Sequence, residues 1–365
     1  MPIALLCLCL VWGCGKSSTG PAEGNTHLVA GVDFTRLFAP PTPDELALID
    51  TDWASRPAPS AESTVALTTT VLLGRSSAVL RILAYTVDHQ RQYGALVVPK
   101  GAAPGSLPLV VYLHGGDQGV SVEEFVLVSL GLGNDRDQYA YALPSFRSEA
   151  ISVGGQVFVS EGEPSPWDRD VDDALGLVEA ALASEPALNP DHLGAVGISR
   201  GGAVAMLMAL REPRIRRVVE FFGPTDLLDV FGQEVAERAL LGMPRQLPGA
   251  DYLNQTLLQP LREGSLGMAE ARLELIRRSP VYFAERLPQL QVHHGAADQL
   301  VPVSQAQRLV EAMARLGRST PVFEAYLYPE GGHHPLSLPG SLERTQRFLA
   351  PLRQPVPAYA ASARY

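Results

Sequence analysis

The chain has 365 residues, of which 46% are hydrophobic and 19% charged, and this much apolar side chain excludes an intrinsically disordered protein. The formal net charge is −10, with 29 Lys and Arg against 39 Asp and Glu. No basic run or basic helix face occurs, so a nucleic-acid partner, whose phosphates demand a basic footprint, is excluded. Glycine (33) and proline (30) are frequent but follow no period, which means many turns and no fibrous repeat.

The chain opens on its longest apolar run, Ile3 to Gly13. That run is too short to cross a hydrocarbon core, which needs about 20 helical residues, but it suits the apolar part of a secretory leader. It ends in Val11-Trp12-Gly13-Cys14, followed by the small polar stretch Gly15-Lys16-Ser17-Ser18-Thr19-Gly20. This arrangement resembles a bacterial lipoprotein signal. The resemblance implies cleavage before Cys14, a lipid on its sulfur, and an exported protein that meets a membrane only through that anchor. All three cysteines (Cys7, Cys9 and Cys14) lie here, so the chain beyond has no disulfide, thiolate nucleophile or cysteine metal site.

Residues 15–60 are rich in small residues and proline, and Ala39-Pro40-Pro41-Thr42-Pro43 cannot sit inside a helix or a central strand. The expected organisation is a signal peptide over 1–13, then a tether and N-terminal extension over 14–60. A short helix is expected near Asp44–Ala54, and the folded body over 61–365. Val79–Val87 and Tyr93–Val98, with the polar Asp88-His89-Gln90-Arg91 between them, predict an antiparallel hairpin. Leu107–Leu113 is continuously apolar, as a strand buried on both faces should be. Tyr139–Leu143 is a further short strand. Asp168–Ala183 has apolar residues at a 3.6 period and predicts a helix. Strands follow at His192–Ile198, Arg217–Phe222, Leu290–His293 and Val322–Tyr328, with helices at Ala203–Leu210, Ser304–Leu316 and Ser341–Leu349. Such alternation means a mainly parallel sheet with helices on both faces, whose functional groups gather at the carboxyl ends of the strands.

The residues at those ends carry chemistry. Gly197-Ile198-Ser199-Arg200-Gly201 leads from an apolar strand into an apolar helix. That context suits a sharp turn presenting the Ser199 hydroxyl above the sheet. A serine hydroxyl needs an adjacent base, itself oriented by an acid, in the chain order serine, acid, histidine. Asp298 follows the Leu290–His293 strand, and His333 follows the Val322–Tyr328 strand after Gly331-Gly332. Ser199 is therefore the expected nucleophile, His333 the base and Asp298 the acid. His334 and Asp226 are the rival histidine and acid. An oxyanion site would take one backbone N–H from Arg200 and a second from Gly116 or Asp117, in the loop His114-Gly115-Gly116-Asp117. His293 and His294 are rejected as a metal pair, because adjacent strand residues face opposite sides.

These pieces resemble the α/β-hydrolase fold. Together with Ser145-Phe146-Arg147, the acidic Asp168–Asp173 and Val301-Pro302, they resemble more narrowly the catalytic domain of the prolyl oligopeptidase family and its dienelactone-hydrolase-like relatives. The resemblance covers roughly 75–352. It implies a serine hydrolase acting on peptide or ester bonds, with the peptidase reading in front, and no metal or organic cofactor. The substrate expected is a small molecule or a peptide. The residues before the first strand are too few for the β-propeller that full-length members of the family carry. The stretch at about 227–280 is too long for a simple connection and is expected to form a small cap insertion. A surface lipoprotein that keeps the fold without turnover is the competing class. The haloalkane dehalogenase type is excluded, because it needs a carboxylate where Ser199 stands.

Overall fold

The computed structural model describes residues 26–74 and 76–354. The leader, with Cys14 and its expected lipid, lies outside them. Nine strands form the main sheet. In chain order they are β1 (Ser63–Leu73), β2 (Ser76–Val87), β3 (Gln90–Pro99), β4 (Leu107–Leu113), β5 (Ala140–Pro144), β6 (Leu188–Ile198), β7 (Ile215–Phe221), β8 (Gln289–Gly295) and β9 (Phe323–Tyr328). Their spatial order is β9-β8-β7-β6-β4-β5-β3-β2-β1. Neighbours from β9 to β5 are parallel, and β5, β3, β2 and β1 pair antiparallel.

Hydrophobic pattern explains this placement. β4 is buried at every position and lies inside the sheet, as its unbroken apolar run requires. β1 mixes half-buried and exposed residues and forms an edge. Helices Arg169–Ser184, Arg200–Arg211 and Ser304–Arg315 pack one face of the sheet. Helices Val122–Ser129 and Ser341–Leu349 pack the other. The α/β-hydrolase architecture is thus the one expected, with strands somewhat longer than their apolar centres suggested.

Between β7 and β8 the insertion folds as helices Val230–Leu240, Ala250–Leu253 and Met268–Arg277, with a wider turn over Asn254–Leu258 and a short helix Gln259–Glu263. Its two ends are fastened together, because Leu227 N–H donates to Ser279 Oγ at 2.9 Å. Asp226 anchors its base, accepting from Tyr282 Oη at 2.7 Å and Arg308 Nη2 at 2.9 Å.

The short helix expected near Asp44–Ala54 is present as Pro43–Ser55, but the tether expected before it needs correction from Leu28 onward. There the chain forms a small hairpin (Leu28–Val29 with Val32–Asp33), a helical turn Phe34–Leu37, and helix Pro43–Ser55. Pro43 opens that helix behind a Thr42–Glu45 capping box. Val29, Val32, Phe34, Leu37 and Ile49 share one core cluster with Leu240, Leu258 and Ile276 of the insertion. The sequence hid this because the apolar residues of the segment are sparse and face a partner far along the chain.

Two arginines of the insertion bind the two parts: Arg277 Nη1 meets Asp52 Oδ2 at 3.0 Å, and Arg272 makes the larger set of contacts. Arg272, 6% exposed, sits on the insertion. It reaches Glu45 through Nε at 2.6 Å and Nη2 at 2.9 Å, and its Nη1 donates to the carbonyls of Arg36, Leu37 and Ala39. Glu45 is held at about pKa 2, first by the hydrogen bond from Arg272. Breaking a buried pair by removing one partner costs about 3–5 kcal/mol. Glu45 keeps some exposure, so Arg272→Ala should lose about 3 kcal/mol in urea unfolding. A loss below about 1 kcal/mol would mean the clamp contributes little.

Candidate active site

The site is built where β6 ends. Ser199 has φ 56° and ψ −120°, a positive-φ conformation that a residue with a side chain adopts only at a cost of about 1–3 kcal/mol. The turn is possible because a Cβ at Gly197 would collide with Gly201, and one at Gly201 with the Leu113 carbonyl. Only glycine lets strand, turn and helix approach so closely. Ser199 N–H donates to Phe221 O at 2.8 Å, and Gly202 N–H to Ser199 O at 2.8 Å, fixing the turn between β7 and the Arg200–Arg211 helix.

The loops after β8 and β9 are stitched to each other. Ala296 N–H donates to Tyr328 O at 2.7 Å, and Ala297 N–H to Gly331 O at 2.9 Å. This brings Asp298 beside His333, with His333 Nδ1 2.7 Å from Asp298 Oδ2. His333 Nε2 lies 2.9 Å from Ser199 Oγ. The Phe222 ring packs on His333 with centroids 4.3 Å apart. Burial pushes the Asp298 carboxyl up. The hydrogen bond and charge of His333, with the N–H groups of Val301 and Leu300, outweigh that and hold it below its usual value. An ionised acid on Nδ1 leaves Nε2 facing the hydroxyl as proton acceptor.

The rivals have other tasks. His334 accepts from Leu336 N–H at 3.1 Å and caps a short helical turn. Asp226 is spent on the base of the insertion. His293 is satisfied at both nitrogens by Tyr328 Oη (2.8 Å) and Gln291 Oε1 (2.9 Å), while His294 Nε2 meets Val301 O at 2.9 Å. Burial lowers the pKa of both imidazoles. Among the described residues, no group of three or more His, Cys, Asp or Glu is placed to hold a metal ion.

The N–H of Arg200 opens the helix, where no intrahelical acceptor exists for it. Gly115 and Gly116 line the same pocket, and Gly116 has φ 75°. The Asp117 side chain is exposed and held by Gln118. The Arg200 guanidinium turns inward to Asp170 and Glu149. Glu149 was not singled out from the sequence, and Asp170 entered only as part of the acidic Asp168–Asp173 stretch. Their only signal there was acidity near a strand end and in a helix's first turn.

A cavity of about 930 Å³ opens on Ser199 and His333. Its roof comes from the insertion (Phe231, Val235, Leu253, Leu257, Leu275), and Phe38 of the N-terminal segment completes it.

The sheet order, the strained serine turn and the loops that converge on it define an α/β-hydrolase. Residues 137–350 match the model of the prolyl oligopeptidase family, more than half of the chain, and the chain belongs to that family. Over 112 residues it is 34% identical to NocK of Nocardia uniformis subsp. tsuyamanensis, a proposed esterase, spanning 31% of each chain. Over 233 residues it is 24% identical to the uncharacterized peptidase YuxL of Bacillus subtilis, covering 62% of this chain and 31% of that one. The chain thus spans about a third of the length of these curated relatives. Among solved structures, acetyl xylan esterase 1 from Thermoanaerobacterium sp. JW/SL YS485 has a TM-score of 0.57 at 19% identity, over 86% of this chain and 95% of that one. This likeness is one of fold.

Beneath the turn, Glu220 of β7 is fully buried and lies against Gly202. Its Oε2 accepts Gly223 N–H at 2.8 Å, Oε1 has no partner among the described residues, and burial pushes the carboxyl up to about 8. In the unfolded chain this proton leaves above about 4.5. The folded protein therefore binds more protons between these values, and the stability this group contributes falls as pH rises through that window. Glu220→Gln should flatten that fall, so its melting midpoint should drop several degrees less than wild type from pH 5 to pH 8. Parallel curves would show that Glu220 ionises freely in the fold.

Proposed function

We propose that the protein is a serine hydrolase that cleaves carboxylic esters carrying a bulky apolar group, through an acyl-enzyme on Ser199. The continuous Asp298–His333–Ser199 hydrogen-bonded chain carries the catalytic part of this reading. Ser199 Oγ attacks the carbonyl carbon as its proton passes to His333 Nε2, and Asp298 stabilises the imidazolium. The negative charge on the former carbonyl oxygen is met by the Arg200 N–H and a second N–H from the Gly116–Asp117 stretch. The carbon–oxygen bond to the alcohol then breaks, and His333 returns the proton to the departing oxygen. Water attacks the acyl-enzyme by the same relay, releasing the acid and restoring Ser199.

The ester reading rests on the cavity. At about 930 Å³ it is near the upper end for small-molecule sites. Among the described residues, the Lys, Arg, Asp and Glu side chains in its wall are Glu124, Arg200 and Arg245. Arg200 is committed to carboxylates behind the wall, and Arg245 donates to Gln299 O and lies over the Phe231 ring. A peptide brings an N–H and a carbonyl with every residue, each costly to bury without a partner. An alkyl or aryl group brings none. A peptidase is the second reading, favoured by the family match and by the name of the Bacillus subtilis relative. Export on a lipid at Cys14 remains a proposal from the leader.

A panel of p-nitrophenyl esters and aminoacyl-p-nitroanilides on wild type and Ser199→Ala tests this. On esters, kcat/KM should rise with each added acyl methylene, by at most about fourfold per step, until the cavity is filled. Ser199→Ala should lower turnover by about 10⁴–10⁶ and abolish fluorophosphonate labelling. Anilides hydrolysed as well as esters would transfer the assignment to the peptidase class.

A further inference from the structure

A serine turn of this kind needs small residues two positions either side of the serine, and it leaves the next side chain free to be anything. Here that side chain is an arginine turned into the protein and 2% exposed. Its Nε and Nη2 grip Asp170 at 2.8 and 2.7 Å. Its Nη1 donates to Glu149 Oε1 at 2.5 Å and to the Gly116 carbonyl at 3.1 Å. The guanidinium lies over the Phe146 ring, 4.9 Å from its centroid. The other oxygen of Glu149 accepts Gly119 N–H at 3.1 Å and lies 3.6 Å from His114 Nε2. One buried cluster therefore holds the 114–120 loop at two backbone points, the carbonyl of Gly116 and the amide of Gly119.

Such a cluster is a poor way to gain stability. Two carboxylates and one guanidinium out of water carry a desolvation cost of several kcal/mol, which apolar residues of similar volume avoid. Burial pushes Glu149 up to about 7 in spite of its arginine. What the cluster does supply is direction. A trans peptide unit is planar, so a fixed Gly116 carbonyl also fixes the Asp117 N–H, which points the opposite way in the same plane. The Gly116 N–H belongs to the preceding peptide unit, whose Gly115 carbonyl lies 3.0 Å from His114 Nδ1. The side chain of the residue that supplies the first oxyanion donor thus orients the Asp117 N–H directly and holds Gly116 through its carbonyl.

We propose that the Arg200 side chain, braced by Asp170 and Glu149, is a positioning residue that holds the Gly116 loop in place to donate to the oxyanion. The proposal rests on the serine-hydrolase reading above. Preorganised donors are effective because they do not have to reorient when charge develops, and misplacing them affects the transition state more than the bound substrate.

Arg200→Lys keeps the charge but cannot span three acceptors with a fixed fork. The double variant Arg200→Met with Asp170→Asn removes the charge and its main partner together, so that the Asp170 carboxylate is not left bare beside a neutral side chain. With a p-nitrophenyl ester, each should lower kcat by about 10- to 100-fold and leave KM within about threefold. Affinity for an arylboronic acid, which binds as a tetrahedral anion, should fall by the same factor as kcat/KM. A merely structural role would not produce that match. The proposal is overturned if either variant, folded by circular dichroism, keeps kcat within about threefold of wild type, or if boronate affinity is unchanged. It is also overturned if neither variant folds, because the cluster is then structural. If wild-type protein hydrolyses no ester and Ser199→Ala changes nothing, the serine-hydrolase reading fails first and this one with it.

Discussion

Everything in the site depends on one tight crossing, where β6 passes into the helix behind it through a serine held at positive φ. The strain is sustained because both flanks are pinned: Ser199 N–H to the carbonyl end of β7, and the helix against the carbonyl end of β4. The crossing sets where the hydroxyl points, and the loops after β8 and β9 are fastened to each other so that an imidazole arrives 2.9 Å from it. The parallel order of the strands does the rest, since it brings all these loops to one edge of the sheet.

Above that edge the pocket is a joint product of two parts far apart in the chain. The insertion between β7 and β8 supplies the roof. The N-terminal segment backs the roof from outside and contributes Phe38 to the cavity. Arg272 locks the two by satisfying carbonyls that the turns around Leu37 and Ala39 would otherwise leave open. The acidic start of the Arg169–Ser184 helix extends the same scheme. Asp168 and Asp172 hold Arg56, Asp170 holds Arg200, and Asp173 holds Arg147. A single helix N-terminus thus ties down the N-terminal segment, the serine turn and the loop after β5.

Electrostatics separates the two sides of the serine. The acid beside His333 is held ionised by hydrogen bonds, whereas Glu220 and Glu149 behind the turn are pushed toward protonation by burial. A proton acceptor is needed on the first side. Mechanical support is needed on the second, and it comes from Arg200 paired with Asp170 and Glu149 and from the hydrogen bond of Gly223 N–H to Glu220.

The sequence by itself determined most of the sheet and its helices, because continuous apolar runs and 3.6-residue periods are local signals of burial; the half-exposed edge strand Ser63–Leu73 and the helix Val122–Ser129 were not read from it. It also placed Ser199, Asp298 and His333 at strand ends, because strand, glycine-bounded turn and helix follow one another in a few residues. Only the tertiary structure decided which partners those residues have. It put His333, and not His334, 2.9 Å from Ser199 Oγ and gave Asp226 a supporting task. It turned Arg200 inward, and packed residues 28–55, where a tether and one short helix were expected, onto the insertion. Each of these outcomes depends on contacts between positions distant in the chain, and no local pattern records them. The cavity is the clearest case, since its apolar wall is assembled from segments that are individually ordinary amphipathic helices and turns.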